Sequence, residues 1–319
     1  MKFVLLIRSL GRAGTEVQAK NLASGLRSAG HDVCVVTFYP GGFYEAELSK
    51  ADIEVINLGK RGRWHVLGFF RAWIRVLIEK KPDVVYSFLT GANLVAVVAR
   101  VIRRKTRIYW GMRTAAPDGS YGKADLFGRI EFWISRYAVR LVHGVICNSH
   151  AGYHFLKSNG VPTSKLVVIG NGIDTDFFCR DRLAARSILE EHSLPEGKKL
   201  IGTVARLSPS KGHRMFIEAA ARYLEKWGDA HFLIVGGGSS LLVSAGDTGY
   251  EAELRQLAEN LGIGARLSWL GERTDMPRIY SALTVNTLCS RSLKILTVAD
   301  LSDRGATRGG GGVGGGGSG

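Results

Sequence analysis

The feature that most limits the fold of this 319-residue chain is the exchange of short, continuous apolar runs with helix-period segments. KFVLLIRS is followed by EVQAKNLASGLRSAG, then by DVCVVTF, IEVINLG, VLGFFRAWIRVLIEKK, PDVVYSFL, NLVAVVARVIRR and RIYWGMR. Runs that are apolar at consecutive positions belong to strands covered on both faces, and the helices between them supply the crossovers that parallel strands need. The first half therefore predicts a doubly wound α/β domain. A helical pattern over residues 125–141 leads to GVICNSH, a further short strand and a Gly-rich turn. After a polar, charge-rich stretch the alternation restarts with KLIGTVAR, KGHRMFIEAAARYLEKWG, AHFLIVGGG, GYEAELRQLAENLGI, ARLSWLGE, DMPRIYSA and TVNTLCSR. The expected organisation is an N-terminal α/β domain over 1–178, a linker over 179–197, a partial second α/β domain over 198–292 and a Gly-rich, flexible tail over 293–319. The cleft between two such domains, at the carboxyl ends of the strands, is where a ligand is expected.

Several classes are excluded early. No stretch reaches the roughly 18 apolar residues of a membrane span, and MKFVLLIRSL is too short for a signal segment and reads as a buried first strand. The cysteines Cys34, Cys147, Cys179 and Cys289 stand singly, so neither disulfides nor a structural metal is expected. The net charge of +15 is concentrated in residues 1–150, where 23 Lys and Arg face 11 Asp and Glu. A field of that sign attracts phosphate, whether on a small ligand, a lipid headgroup or nucleic acid. Nucleic acid is disfavoured as a partner because no basic stripe with interleaved aromatics is present. A dinucleotide oxidoreductase is disfavoured by the lack of a G-x-G-x-x-G after a strand.

The stretch TVARLSPSKGHRMFIEAA carries the sharpest chemistry. Arg206 falls where a strand should end, Ser208 or Ser210 is suited to cap the next helix, and Pro209 fits its first turn. The free N–H groups of a helix start already favour an anion. A guanidinium from Arg206 and an ammonium from Lys211 would add two parallel hydrogen bonds and a point charge, a set that suits a diphosphate. A solvated basic helix start is the plain structural alternative.

VARLSPSKGH, with NSHAGYHFLKSNGVPTSKLVVIGNGIDTDFF before it and ELRQLAENLGIGARLSWLGERTDMPRIYSAL after it, resembles the retaining nucleotide-sugar glycosyltransferases of the GT-B fold, family-4 (group 1) type. The resemblance runs from about Lys2 to Ser292 and implies two Rossmann-like doubly wound parallel-sheet domains, the second incomplete. It assigns Arg206 and Lys211 to the donor diphosphate. It places Gly14, with a weaker claim for Gly11, in a glycine-rich loop facing the donor phosphates, and Glu16 in the helix turn that follows. Gly236 to Gly238 and Gly271 become donor contacts, and Arg113 falls where a basic residue faces the reacting sugar. Asn171, Gly172 and Asp174 are read as turn chemistry rather than a metal-binding D-x-D, and His150 as a hydrogen-bonded structural residue. No metal, cofactor or protein nucleophile is implied. The donor would be a UDP- or GDP-sugar and the acceptor a glycan or lipid-linked molecule, in bacterial cell-surface polysaccharide or glycolipid synthesis on the cytoplasmic side, at the inner face of the plasma membrane.

Two features qualify this expectation. Members of the family carry an E-x7-E helix after the segment equivalent to VNTLCSR, whereas here SLKILTVAD follows and no Glu occurs after Glu272. That pattern suggests truncation or a frame change after Ser292, impaired turnover, and a non-catalytic nucleotide-binding fragment as the alternative. Separately, KRGRWHVLGFFRAWIRVLIEKK sets Trp64, Phe69, Phe70, Trp73 and Ile74 among seven Lys and Arg. Such a segment suits either an interfacial helix on an anionic membrane or an amphipathic helix packed on the sheet.

Overall fold

The structure is a computed structural model that describes residues 1–62, 64–113, 133–237 and 248–290. The chain divides into two compact units, Met1–Gly172 and the part from Ile173 onward.

Unit 1 is built on a seven-stranded sheet: β1 (Lys2–Ile7), β2 (Asp32–Thr37), β3 (Glu54–Asn57), β4 (Val84–Phe88), β5 (Arg107–Met112), β6 (Gly144–Cys147) and β7 (Leu166–Val168). Their order is β3-β2-β1-β4-β5-β6-β7, and every pairing is parallel. The apolar runs are continuous because side chains on both faces are buried. Val4 and Leu6 point into one cluster, and Leu5 and Ile7 into the other. Helix α1 (Gly14–Ser28) and α2 (Glu45–Lys50) contribute Ala19, Ala23 and Leu48 to one face. Helices α3 (Val66–Lys80), α4 (Leu89–Ala96), α5 (Val98–Ile102) and α6 (His150–Ser158) cover the other. The winding direction reverses between β1 and β4, so the carboxyl ends of these strands form the switch point where an open α/β sheet leaves a crevice.

Two local results bear on the sequence expectations. In α3, Phe69, Trp73, Val76 and Leu77 recur at helix spacing and are all buried, with the Trp73 indole donating to the Val95 carbonyl at 3.1 Å. Phe69 and Trp73 are therefore core residues. Of the two readings of this segment, the helix packed on the sheet is the one these rings follow, filling the space between α3 and the sheet. Of the helical pattern over 125–141, the described part is helical at 133–138 and ends in a 3-10 turn, Val139–Leu141. The Lys165 ammonium closes that end by donating to the carbonyls of Val139, Arg140 and Val142 at 3.2, 2.7 and 2.7 Å.

Unit 2 holds a smaller parallel sheet, β8 (Lys199–Val204), β9 (Ala230–Val235), β10 (Leu267–Gly271) and β11 (Val285–Asn286), in the order β10-β9-β8-β11. Helices α8 (His213–Lys226) and α9 (Thr248–Asn260) pack on one face, through Phe216, Ile217 and Leu254. The other face takes α7 (Arg182–Glu191) and α10 (Met276–Ala282), through Ile188 and Ile279. Residues 179–197, expected as a polar linker, thus carry a helix that closes a core. Asp181 caps it by accepting from the N–H groups of Leu183 and Ala184 at 2.8 and 3.0 Å. Its last residue is paired: Glu191 accepts from Arg273 at 2.8 Å and Arg278 at 3.0 Å, and both arginines also bind Asp275. The 293–319 tail lies outside the described residues.

Candidate active site

In unit 2 the loops after β8, β9 and β10 are stitched together at one edge of the sheet. The Ala205 N–H donates to Val235 O at 2.9 Å, Leu207 N–H to Gly237 O at 3.1 Å, and Gly236 N–H to Gly271 O at 2.8 Å. Parallel strands in adjacent positions thereby bring Arg206, Gly236 and Gly271 to a common rim. Gly236 has φ +143°, and a Cβ there would collide with the Ala205 carbonyl oxygen. Its glycine is thus demanded by the neighbouring loop itself. Gly271 (φ +65°) needs glycine for its left-handed backbone, with open space around it. Gly238 lies outside the described residues.

The Arg206 loop differs from its sequence expectation in one respect. β8 ends at Val204, and Pro209–Lys211 form a separate 3-10 turn before α8 starts at His213, with left-handed Gly212 at its N-cap. Neither Ser208 nor Ser210 caps α8; their hydroxyls bond each other at 2.9 Å. Gly212 is fixed because a Cβ would meet the carbonyl of Cys289, and Ser290 Oγ donates to Ser210 O at 3.0 Å. The basic loop is therefore held between the β9 turn and the segment after β11. Arg206 is exposed, and its guanidinium makes no hydrogen bond or ion pair among the described residues. Lys211, five positions on, is half-buried within the 3-10 turn. Behind the loop, His213 is fully buried, and burial pushes its pKa down from the usual value while hydrogen bonding to the Ser208 and Ala205 backbone pulls it the other way. The imidazole is neutral there, a feature that a sequence motif could not announce.

In unit 1 the corresponding rim gathers the start of α1, the end of β5 and the turn after β7. Gly14 is the first residue of α1, Ala13 offers no side-chain cap, and a Cβ at Gly11 or Gly14 would meet nothing within 4 Å. The open start of α1 can thus be approached closely. Glu16, half-buried in its first turn, has its carboxyl pKa raised by burial. Arg113 does not point free into solvent: it donates to Asn171 Oδ1 and lies 5.1 Å from the centre of the Phe88 ring. It also sits close to the Tyr86 phenol, whose pKa is raised by burial and pulled the other way by the guanidinium. The neighbouring Gly172 is gripped from both sides by the amide of Gln18, which donates to its carbonyl at 2.8 Å and accepts from its N–H at 3.1 Å. Sequence reasoning missed Gln18, for a lone Gln in a helix carries no signal. Asp174 Oδ1 accepts from the N–H groups of Asp176 and Phe177 at 3.1 and 3.0 Å, an Asx turn. His150, expected to be hydrogen-bonded, is the exposed first residue of α6, and the bond belongs to Ser149, whose hydroxyl accepts from Gly152 N–H at 3.1 Å. Among the described residues no three His, Cys, Asp or Glu cluster as metal ligands do.

Two parallel-sheet units, each with a loop rim at the carboxyl ends of its strands, define the GT-B class of glycosyltransferase fold. Solved structures bear this out: Anabaena HepE in complex with UDP and glucose aligns with a TM-score of 0.77 at 21% identity, over 92% of this chain and 75% of that one. Sucrose-phosphate synthase from Thermosynechococcus elongatus aligns with a TM-score of 0.74 at 17% identity, over 94% and 78%. The chain belongs to glycosyltransferase family 4, whose profile matches residues 12–177, just over half of its length; the glycosyl transferases group 1 profile matches residues 185–294. Curated relatives include the lipopolysaccharide core biosynthesis mannosyltransferase LpsB of Rhizobium meliloti, 27% identical over 47% of this chain. The putative glycosyltransferase EpsF of Bacillus subtilis is 23% identical over 88% of it. The matched stretch spans 39% of the first relative and 74% of the second.

Proposed function

We propose that this chain transfers a glycosyl group from a nucleoside-diphosphate sugar, UDP- or GDP-linked, to a glycan or lipid-linked acceptor with retention of configuration, in the making of a bacterial surface polysaccharide or glycolipid at the inner face of the plasma membrane. The observation that carries this reading is the exposed, unneutralised Arg206 on a loop fixed by Gly236 and Gly212. A guanidinium already held in place loses little freedom on gripping a diphosphate, and charge neutralisation of that leaving group is the main demand of the reaction. Lys211 supplies the second positive charge, so the diphosphate needs no metal ion. The backbone at Gly236 and Gly271 lies against the nucleotide, and in unit 1 Gly14 is read as a donor-phosphate contact and Arg113 as an acceptor-side residue facing the reacting sugar. The neighbour solved with UDP and glucose and the relative that makes lipopolysaccharide core support the donor and product classes.

A second reading rests on a specific feature: no Glu follows Glu272, so the donor sugar and ribose lack the carboxylates that the family places there. Under it, the chain binds the nucleotide and turns over slowly or not at all. Incubation with radiolabelled UDP-glucose, UDP-galactose and GDP-mannose, with NMR of any product's anomeric centre, separates the two. Transfer with retention supports the enzyme. Binding of nucleotide without release of sugar from any donor assigns the fragment, and an inverted product contradicts the retaining chemistry.

A further inference from the structure

His213 opens α8 in full burial, directly behind the basic loop, with both ring nitrogens sealed from water. The donor reading leaves this titratable group without a task. Its ring hydrogen-bonds to the backbone of Ala205 and Ser208, the residues one before and two after Arg206. A backbone contact that favours the charged form of an imidazole is one with a carbonyl oxygen, which accepts from a ring N–H. Both carbonyls are fixed from other sides as well. The Ala205 oxygen stands where a Cβ on Gly236 would be, and the Ser208 oxygen accepts from the Lys211 N–H at 2.9 Å. Around the imidazole, Tyr250 of α9 lies edge-on with ring centres 6.3 Å apart, and Cys289, its thiol pKa raised by burial, closes on Gly212 from the segment after β11. On α8 itself, Arg214 and Glu218 pair with each other at 4.0 Å. Among the described residues, the charge that acts on the imidazole is the Lys211 ammonium.

We propose that His213 is a positioning residue of the diphosphate loop, its ring tying the backbone on both sides of Arg206, and that a bound diphosphate is held together with a second proton on that ring. The inference rests on the reading of Arg206 and Lys211 as the donor loop. A neutral imidazole has one N–H and satisfies one carbonyl, whereas an imidazolium has two and satisfies both. In the free protein, burial, the Lys211 ammonium and the positive end of α8 all oppose the second proton. A diphosphate on Arg206 and Lys211 reverses the sign of that field, and salt screens it weakly at a buried ring. The ring then charges, both carbonyls are bonded, and the Ala205–Ser208 segment is held more firmly under its ligand. The complex therefore carries more protons than the free protein, and by linkage the affinity rises as pH falls toward the titration range of the free ring.

Calorimetric titration of the full chain with UDP-glucose, in buffers of low and high ionisation enthalpy from about pH 8 to about pH 6, counts the protons that accompany binding. UDP-glucose is the probe because its diphosphate, esterified at both ends, has no proton of its own to exchange in this range. Uptake of a fraction of a proton per nucleotide is expected, growing toward the acid end, with affinity rising in step. His213→Gln keeps a single neutral donor and cannot titrate. It should bind about 10-fold more weakly at the acid end, with no proton uptake and an affinity indifferent to pH. His213→Asn serves as a second neutral replacement, and the proton count itself is read on the parent. A histidine that merely fills the core would give no uptake. Binding by the parent without uptake would overturn the inference and leave the donor reading standing, as would uptake that persists in a folded glutamine or asparagine variant. No binding by the parent at any pH would overturn the donor reading, and this inference with it.

Discussion

Single residues set the shape of the basic loop after β8. Gly236 and Gly212 have positive φ and a neighbouring carbonyl where a Cβ would stand. Gly236→Ala should therefore lower stability by about 1–3 kcal/mol through backbone strain alone and should abolish UDP binding by moving the Ala205–Arg206 segment. Retained melting temperature and retained binding in that variant would show that the two loops are not coupled as described. Three histidines make unit stability depend on pH. His143, which accepts from the Ile108 N–H at 3.0 Å, His213 and His231 all have pKa values lowered from 6.5, chiefly by burial. Because the unfolded chain takes up these protons first, stability is full above about pH 6.5 and falls as pH drops below it. Urea midpoints measured from pH 8 to pH 5 should decline on the acid side, and a flat profile would contradict the buried neutral rings.

Among elements, α3 shows how one helix serves two surfaces. Trp73 is fully buried and Trp64 is 90% exposed, nine residues away. Trp73→Ala should cost about 3–5 kcal/mol, as loss of a large core side chain does, whereas Trp64→Ala should change stability by about 0.5 kcal/mol or less. Equal effects in chemical denaturation would mean that α3 is placed wrongly. α3 also marks the limit of what was legible beforehand. Continuous apolar runs revealed the strands, because parallel strands are buried on both faces. The run VLGFFRAWIRVLIEKK, by contrast, has apolar residues all round, so only the sheet beneath it decides which of them are core. The helix Arg182–Glu191 was hidden for the opposite reason. Its sequence is rich in charge, and its Glu191 is paired with Arg273 and Arg278, far along the chain. Arg278→Ala should loosen α7 from α10, leaving Glu191 with one partner fewer, and proteolysis within residues 182–191 should become faster. An unchanged cleavage rate would show that Ile188 and Ile279 alone hold the pair.

At the scale of the whole molecule, the two units differ in charge and in what their strand-end loops carry. Unit 1 carries most of the positive charge and the clamp on Asn171 and Gly172, and unit 2 carries the basic loop. Local spacing singled out Arg206 and Lys211 at a strand-to-helix turn, whereas the glycines of the β9 and β10 turns were assigned through the family resemblance. The Gln18 grip on Gly172 joins positions 154 apart in sequence, and no local pattern encodes it. No helix of the described residues is long and apolar enough to cross a membrane. The most direct test of the central claim is isothermal titration of the purified chain and of Arg206→Ala with UDP, GDP and uridine. Because the Arg206 guanidinium is exposed and makes no hydrogen bond or ion pair among the described residues, its removal should leave the melting temperature unchanged while weakening diphosphate binding about 10- to 100-fold, with little change for uridine. Equal affinity for the diphosphates in parent and variant, or no binding by either, would contradict the assignment of this loop as the donor site.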